Sequence, residues 1–340
     1  MIEGTVNGHP TEMMLDSGAG MTVLDRAFAD SIGVKGSTAI QVQGAAGTVP
    51  GQIATGVDLA VGTLRLSKAS VLILDMAPIA KGVGHPITAV LGKEAFAAGA
   101  VTIDFPNSRI RFSDRNSFKA PDGATRLAMG DRGVISTVKV AIGDLAPIDA
   151  DLDLGNGGTL ILSKAYWTAQ PTIAKLRQAE SQSGGVGGLK LARRATLPVV
   201  SLAEHRFVEV PATLNDDPTA LPITGANVGI ELLKSFVVTV DSSAKALYLS
   251  GGQAGKVRKE RAGVRFEWAG DRLDVVYASP DGPGAKAGLK RGDQVVSVDG
   301  RRVGADYYGR PDWIYGDAGG SVKLRLADGR QVSVVLADYY

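Results

Sequence analysis

Cysteine is absent from this 340-residue sequence, and histidine occurs only three times. The lack of cysteine excludes disulfide scaffolds, cysteine nucleophiles and thiolate metal sites, and it leaves the redox compartment open. A strong charge of one sign is also lacking: the net charge is +2, so nothing electrostatic favours nucleic acid or an anionic membrane as a partner. No segment reaches the roughly 18 consecutive apolar residues of a membrane span.

Glycine, in contrast, is abundant, with 44 residues that cluster at apparent turns. The apolar fraction of 44% and charged fraction of 21% are typical of globular proteins. The composition therefore predicts a mainly β, turn-rich chain, and its length predicts two or three domains.

Two stretches of the chain, residues 14–19 and 151–156, carry the same Asp-containing turn in register. Asp16 and Asp153 are 137 residues apart (153 − 16), and the same offset links residues 90–92 to residues 227–229. The chain therefore contains an internal duplication that should form two similar lobes. A pseudo-two-fold axis is expected to relate the two lobes. Each lobe is expected to bring one carboxylate to that axis.

The duplication divides the chain into lobe one at residues 1–115, lobe two at residues 133–251 and a C-terminal module at residues 262–340. Residues 116–132 and the basic run at residues 256–261 are interpreted as connectors, the basic run as a solvated one. Residue 1 aligns with residue 138, inside a predicted strand, so lobe one is expected to lack most of that strand. The start therefore looks trimmed, and a signal peptide or lipid anchor is expected to have preceded it.

Both lobes are predicted to contain short strands and one short helix each. The predicted strands span residues 53–66, 69–74, 101–105, 109–112, 134–140, 237–240 and 246–249. The predicted helices span residues 93–98 and 230–235.

The repeated turn suggests a specific chemistry. Backbone amides fix the direction of a carboxylate at such a turn, and Gly18 is expected to permit a tight turn that a Cβ would obstruct. Two carboxylates about 3 Å apart cannot both ionise easily, so they share one proton. The charged member can deprotonate a water while the protonated member polarises a carbonyl.

Asp16 and Asp153 are therefore the candidate catalytic residues for peptide hydrolysis, and the sequence does not say which one is the base. This chemistry requires no metal and no cofactor. The residues expected to support the two turns are Ser17, Gly18, Gly155 and Asn156.

Residues 16–19 and 90–92 resemble the retropepsin/pepsin family of aspartic peptidases, in which an Asp-Thr/Ser-Gly turn packs against a hydrophobic-hydrophobic-Gly segment. The duplicated arrangement is similar to two-lobed bacterial retropepsin-like proteases that also carry a PDZ domain. The resemblance implies retropepsin-like (acid protease) β-barrel lobes that form a bilobal unit. It also implies a periplasmic or otherwise exported protein.

Lobe two departs from the family pattern at its turn. Leu154 replaces the hydroxyl residue that bonds across the axis in the family, which leaves Ser17 to make that bond. The amide of Asn156 is expected either to donate to Asp153 or to crowd the cleft. In lobe one Ala19 lacks a hydroxyl that could donate to Asp16, which predicts a mildly acidic or neutral pH optimum.

Asp149, Asp151 and Asp153 alternate, which on a strand places all three on one face. Asp151 could raise the pKa of the dyad or bind a cation. We favour a third interpretation, a strand face open to solvent, because nothing else completes a cation shell.

A glycine-rich stretch follows each aspartate at a similar distance. In the family such stretches form flaps that close over an extended peptide, and glycine permits both the motion and a close backbone approach. The alternative is a mobile hairpin without function. The predicted flap residues are Gly44, Ala45, Ala46 and Gly47 in lobe one, and Gly184, Gly185, Val186 and Gly187 in lobe two.

The C-terminal module resembles a bacterial PDZ domain at residues 263–266, 283–289 and 292–300. PDZ domains bind a peptide C-terminus by adding it as a strand at an open sheet edge. The alternative is a module that only packs within the molecule. The resemblance implies that backbone amides at Gly263, Val264, Arg265 and Phe266 receive the terminal carboxylate.

The predicted partners are therefore a protein or peptide substrate and a peptide C-terminus at the PDZ domain. Two other functions remain open. One is a non-catalytic peptide-binding protein with degenerate lobes, which Leu154 and Asp151 favour. The other is a structural β-protein, which predicts no cleft between the lobes.

Overall fold

The structure is a computed structural model that describes residues 1–115, 117–216, 225–304 and 312–340. Strands make up 51% of it and helices 12%, which confirms the prediction of a mainly β protein. Within the described ranges, no helix combines the length and apolar character needed to cross a membrane.

Lobe one contains a closed six-stranded barrel with one additional strand, followed by the hairpin β8–β9 outside the barrel. The barrel runs β1-β2-β7-β3-β6-β5 and closes because β1 also pairs with β5, while β4 extends outward from β5. Its helices are α1 (Arg26–Ser31), α2 (Ala77–Val83) and α3 (Lys93–Ala98). Its strands are β1 (Ile2–Val6), β2 (His9–Leu15), β3 (Val23–Asp25), β4 (Thr38–Gly44), β5 (Gly47–Val61), β6 (Leu64–Leu74), β7 (Ala89–Leu91), β8 (Gly99–Asp104) and β9 (Arg109–Asp114).

Lobe two repeats this plan strand for strand. Its barrel runs β11-β12-β17-β13-β16-β15 and closes through the pairing of β15 with β11, while β14 extends outward from β15. Its helices are α4 (Lys164–Ala169), α5 (Pro171–Ala174) and a 3₁₀ turn at Ile230–Leu232. Its strands are β10 (Thr125–Arg132), β11 (Ile135–Ile142), β12 (Ile148–Leu152), β13 (Leu160–Leu162), β14 (Gln178–Gly185), β15 (Gly188–Leu202), β16 (His205–Asn215), β17 (Ala226–Val228), β18 (Val237–Asp241) and β19 (Ala246–Ser250).

A sheet shared between the lobes holds the two barrels together. Strand β18 of lobe two pairs on one side with β19 of the same lobe and on the other side with β8 of lobe one, in the order β10-β19-β18-β8-β9. Apolar side chains from both lobes form one continuous core. Each carboxylate is therefore positioned by a barrel whose orientation the shared sheet fixes.

Several local predictions were wrong. The connector at residues 116–132 contains strand β10, whose Leu127 and Met129 are buried in the shared core. The predicted strand at residues 53–66 is interrupted by a turn at Gly62, which has a left-handed φ of 53°. Lobe one also retains the strand it was expected to lack: β1 pairs with β2 and β5 as β11 pairs with β12 and β15.

The C-terminal domain has its own apolar core and a sheet in the order β20-β21-β22-β24-β25, with β23 beside β22. Strand β20 lies at the edge of this sheet, and helix α2 of lobe one packs against it. Its elements are β20 (Val264–Trp268), β21 (Leu273–Ala278), α6 (Pro283–Lys286), β22 (Gln294–Val298), β23 (Arg301–Arg302), a 3₁₀ turn at Asp312–Tyr315, β24 (Ser321–Leu326) and β25 (Gln331–Val335).

The basic run at residues 256–261 is not a solvated connector, which corrects the prediction. Lys259 and Arg261 are buried, and both bind the chain's C-terminal segment. The Lys259 Nζ donates to the Tyr340 carbonyl oxygen (2.9 Å), and the Arg261 Nε donates to Asp338 Oδ1 (2.8 Å). Thr196 of β15 also donates to the Tyr340 carbonyl oxygen (3.1 Å), so this segment anchors the C-terminal domain to lobe two.

Candidate functional site

The two Asp-containing turns have the same construction in the two lobes. Strand β2 runs parallel to β7 and ends one residue before Asp16, whose amide donates to the Leu91 carbonyl oxygen at 3.0 Å. Strand β12 runs parallel to β17 in the same way, and the Asp153 amide donates to the Val228 carbonyl oxygen, also at 3.0 Å. The repeated apolar triplet thus fixes the backbone at each aspartate.

The two aspartates meet across the pseudo-two-fold axis, and two glycines make this possible. A methyl group on Gly18 would lie 2.7 Å from Asp153 Oδ1, and one on Gly155 would lie 2.6 Å from Asp16 Oδ1. Neither glycine has a left-handed φ, so the expected reason for glycine was incomplete. Glycine is needed because each turn packs directly against the carboxylate of the other lobe.

Hydrogen bonds hold both carboxylates. The Gly18 amide donates to Asp16 Oδ1 at 2.7 Å, and the amides of Gly155 and Asn156 donate to Asp153 Oδ1 at 2.9 and 3.0 Å. Burial, reinforced by the nearby charge of Asp153, raises the pKa of Asp16 to about 7. The pair therefore retains one proton at mildly acidic pH.

The raised pKa of Asp16 predicts an effect on stability. Between about pH 4 and pH 7 the folded state still holds a proton on Asp16, whereas the unfolded state has already released it. The contribution of Asp16 to stability therefore falls as pH rises through that range. Replacing Asp16 by Asn is expected to stabilise the protein at pH 7 by on the order of 1–3 kcal/mol and much less at pH 4. Denaturant midpoints at both pH values, with Asp149→Asn as an exposed control, measure this; equal midpoints at pH 7 would refute it.

Ser17 makes the bond across the axis that the sequence assigned to it. Its Oγ donates to the Leu152 carbonyl oxygen at 2.7 Å and accepts from the Leu154 amide at 3.0 Å. Both bonds are buried. Leu154 itself is buried among apolar side chains, so a single hydroxyl links the two turns.

The Asn156 side chain bonds to Asn227 and to the Gly158 amide, which differs from the expected donation to Asp153. Its Nδ2 donates to Asn227 Oδ1 at 2.7 Å, and Asn227 Nδ2 in turn donates to Asp153 Oδ2 at 2.7 Å. Asn227 was missed as a site residue. The signal was available: Asn227 occupies the triplet position at which lobe one has the apolar Val90.

Asp151 is buried rather than open to solvent, which corrects the favoured interpretation. Its side chain is 5% exposed, and it forms an ion pair with Arg132 of β10, whose Nε donates to Asp151 Oδ1 at 2.9 Å. Asp149 is exposed and pairs with Lys139 at 2.9 Å. The missed partner lies on the strand that was taken for a connector, so the charge of Asp151 is balanced without the dyad.

The two predicted flaps are the tips of hairpins β4–β5 and β14–β15, and they touch each other. The Ala46 amide donates to the Val186 carbonyl oxygen at 2.9 Å, and Gly44 packs directly against Val186. The Val186 side chain joins an apolar cluster that contains residues of β4, β5 and α2 and also Ala19, next to Gly18. A cavity of about 20 Å³ remains beside this contact, so the two predicted flaps are closed against each other.

The predicted PDZ peptide site is partly occupied from within the chain. Glu260 Oε1 accepts from the amides of Ala262 and Gly263, both at 2.6 Å. The amide of Gly263 is therefore already bonded to a carboxylate, which corrects that part of the prediction. Val264, Arg265 and Phe266 lie on the edge strand β20, as strand addition requires.

Two family profiles match parts of the chain. Residues 2–95 match the aspartyl protease family profile, and residues 275–328 match the PDZ domain profile. The chain carries an aspartyl protease domain and a PDZ domain. Among solved structures, a retropepsin-like aspartic protease from Rickettsia conorii is similar at 19% identity, over 37% of this chain and 88% of that chain, with a TM-score of 0.28. No curated protein matches the chain significantly.

The aspartyl protease match ends within α3 and includes Asp16 and the apolar triplet of β7. Lobe two lies outside both matched ranges. Its relation to the aspartyl protease domain is supported by the constant sequence offset and by the identical barrel topology of the two lobes. The resemblance drawn from the sequence is thus confirmed at both ends of the chain.

Proposed function

We propose that this protein is an aspartic endopeptidase whose dyad is Asp16 and Asp153. The observation that carries the proposal is the meeting of the two carboxylates, each packed against the glycine of the opposite turn. A single proton between them makes one member a base and the other an acid at the same pH.

Hydrolysis then proceeds in two steps. A water bound between the carboxylates attacks the peptide carbonyl carbon while one carboxylate takes its proton and the other gives its own proton to the carbonyl oxygen. The gem-diol then breaks its C–N bond: the carboxyl group that took the proton from water gives it to the nitrogen, and the other carboxylate takes a proton from a gem-diol hydroxyl. The products are a new carboxyl terminus and a new amine, and the dyad regains its single proton.

Leu154 and Asp151, which favoured a non-catalytic protein, no longer support that alternative once their contacts are considered. Asp151 is neutralised by Arg132 and so does not add an unbalanced charge beside the dyad. The hydroxyl missing at Leu154 is compensated by Ser17, which bonds to two backbone groups of lobe two.

Cleavage of an unfolded protein substrate by the wild type and by Asp16→Asn tests the function. We expect the wild type to produce fragments by internal cleavage, with the variant inactive. Asp149→Asn is a matched control, since Asp149 is an exposed carboxylate that pairs with Lys139. No cleavage by the wild type at any pH from 3 to 8, or equal cleavage by both variants, would leave the non-catalytic alternative.

The pH dependence of kcat/KM follows from the pKa of about 7 for Asp16. Activity requires one proton on the dyad, so it should fall as pH rises through that value and Asp16 loses its proton. We expect a maximum at mildly acidic to neutral pH. A pH–rate profile that peaks below about pH 3 would contradict this, because burial would then not raise the pKa of Asp16.

Closed flaps imply that substrate entry requires them to separate. The apolar burial of Val186 stabilises the closed state by about 1 kcal/mol or more. Val186→Ser removes this burial from the contact between the flaps. We expect KM for a peptide to fall several-fold as the open state becomes more populated. Val208→Ser makes the same change at an exposed valine of β16 in the same lobe and should leave KM unchanged; a KM that rises in Val186→Ser would show that Val186 contributes mainly to substrate binding.

The PDZ domain is proposed to bind a peptide C-terminus along β20. This strand is placed against α2, and Tyr277 of the neighbouring strand donates to Glu180 Oε1 of β14 at 2.7 Å. The domain therefore contacts both a helix beside flap one and the hairpin of flap two. Bound substrate would be held close to the flaps.

A further inference from the structure

The hydrogen bonding of the dyad is not symmetric. Asp153 accepts from the amides of Gly155 and Asn156 on Oδ1 and from Asn227 Nδ2 on Oδ2. Asp16 accepts from the Gly18 amide at 2.7 Å, and the Gly155 backbone and the Asp153 carboxyl group also lie within hydrogen-bonding reach of it. One of these additional donors is a side chain, and it exists because Asn227 stands where lobe one has the apolar Val90.

The direction of each bond in this group is fixed by a backbone amide. The Gly158 amide, which can only donate, donates to Asn156 Oδ1 at 2.8 Å. Asn156 therefore presents Nδ2 to Asn227, which must accept through Oδ1 and present its own Nδ2 to Asp153. Asp153 Oδ2 must then be an acceptor, as an ionised carboxylate is.

We propose that Asn227 is a positioning residue that keeps Asp153 as the ionised carboxylate, so that the dyad's single proton resides on Asp16. This inference rests on the proposed endopeptidase function. It assigns the two roles that the sequence left open. Asp153 removes the proton from water, and the protonated Asp16 donates to the carbonyl oxygen.

Three acidic groups on the elements around the dyad are balanced or bonded locally. Asp151 pairs with Arg132, and the neighbouring 3₁₀ turn carries Glu231 paired with Lys234 at 2.6 Å. Glu94 of α3 accepts from the amide and the hydroxyl of Thr22 at 3.0 and 3.1 Å. Asn227, which is uncharged, is thus the side chain that distinguishes the two carboxylates.

The first test is the pH profile of kcat/KM for Asn227→Val, which gives lobe two the residue of lobe one. Loss of a donor to a carboxylate favours its protonated form, so the acidic limb should move up by about one pH unit. The alkaline limb, set by Asp16, should stay in place. Asn227→Gln retains an amide donor and should keep the wild-type acidic limb even if its rate is lower. If Asn227→Val only lowers kcat/KM at every pH and leaves both limbs of the profile in place, the proposal is overturned.

The second test does not depend on activity. Carboxyl carbon shifts of ¹³C-labelled aspartate, assigned with Asp16→Asn and Asp153→Asn, report which residue is protonated at pH 5.5. We expect Asp16 to be protonated and Asp153 ionised in the wild type, with Asp153 taking up protons at higher pH in Asn227→Val. A protonated Asp153 in the wild type would refute the assignment. If Asp153 is ionised but no peptide is cleaved, the assignment holds and the proposed function fails.

Discussion

Gly155→Ala is expected to lower kcat/KM by at least about a thousandfold, the range over which acid–base groups contribute, while the protein stays folded. The added methyl group would lie 2.6 Å from Asp16 Oδ1, inside van der Waals contact. Asp16 cannot yield easily, because the Gly18 amide holds its carboxylate. The methyl group must therefore separate the two carboxylates or rotate one of them, and either change breaks the shared-proton arrangement.

Gly157→Ala is the matched control for this change. Gly157 is in the same turn, and a methyl group there would have no neighbour within 4 Å. Kinetics and circular dichroism of both variants separate a local effect on the dyad from misfolding. An active Gly155→Ala would show that the carboxylates do not need to approach each other as closely as they do here.

Ser17→Ala is expected to destabilise the protein by about 2–4 kcal/mol, because two buried backbone groups would lose their partner. These groups are the Leu152 carbonyl and the Leu154 amide, and both belong to the opposite lobe. Loosening this link should also reduce kcat, since the relative position of the carboxylates depends on it. Denaturant unfolding and kinetics measure the two effects.

Ser17→Thr retains the hydroxyl and should recover most of the stability. Ser31→Ala removes an exposed hydroxyl bond to the Phe28 carbonyl oxygen in the same lobe, and it should cost less than about 0.5 kcal/mol. A loss in Ser17→Ala no greater than that of Ser31→Ala would mean that the turns are held together by packing alone.

Much of the site could be predicted because its signals are local and repeated. The turn and the apolar triplet recur at one offset, and parallel pairing of the strands that carry them brings the turn beside the triplet in each lobe. A duplicated barrel then places Asp16 and Asp153 across an axis. Sequence alone was sufficient for this much, since every step depends on short motifs.

The rest depends on long-range pairing, which local sequence does not specify. Strand β10 was taken for a connector because its polar and glycine residues hide the alternation of Leu127 and Met129, which its pairing with β19 and β11 explains. The partner of Asp151 was hidden for the same reason. The burial of Lys259 depends on a C-terminal segment far away in the chain.

The central claim is tested most directly by a structure of the protein with a bound peptide inhibitor. In this peptide a non-hydrolysable hydroxyl group replaces the scissile carbonyl. We predict that this hydroxyl lies within about 3 Å of carboxylate oxygens from both Asp16 and Asp153, under flaps that have closed over the peptide. A hydroxyl bound to one carboxylate alone, or a peptide bound away from both, would contradict the account.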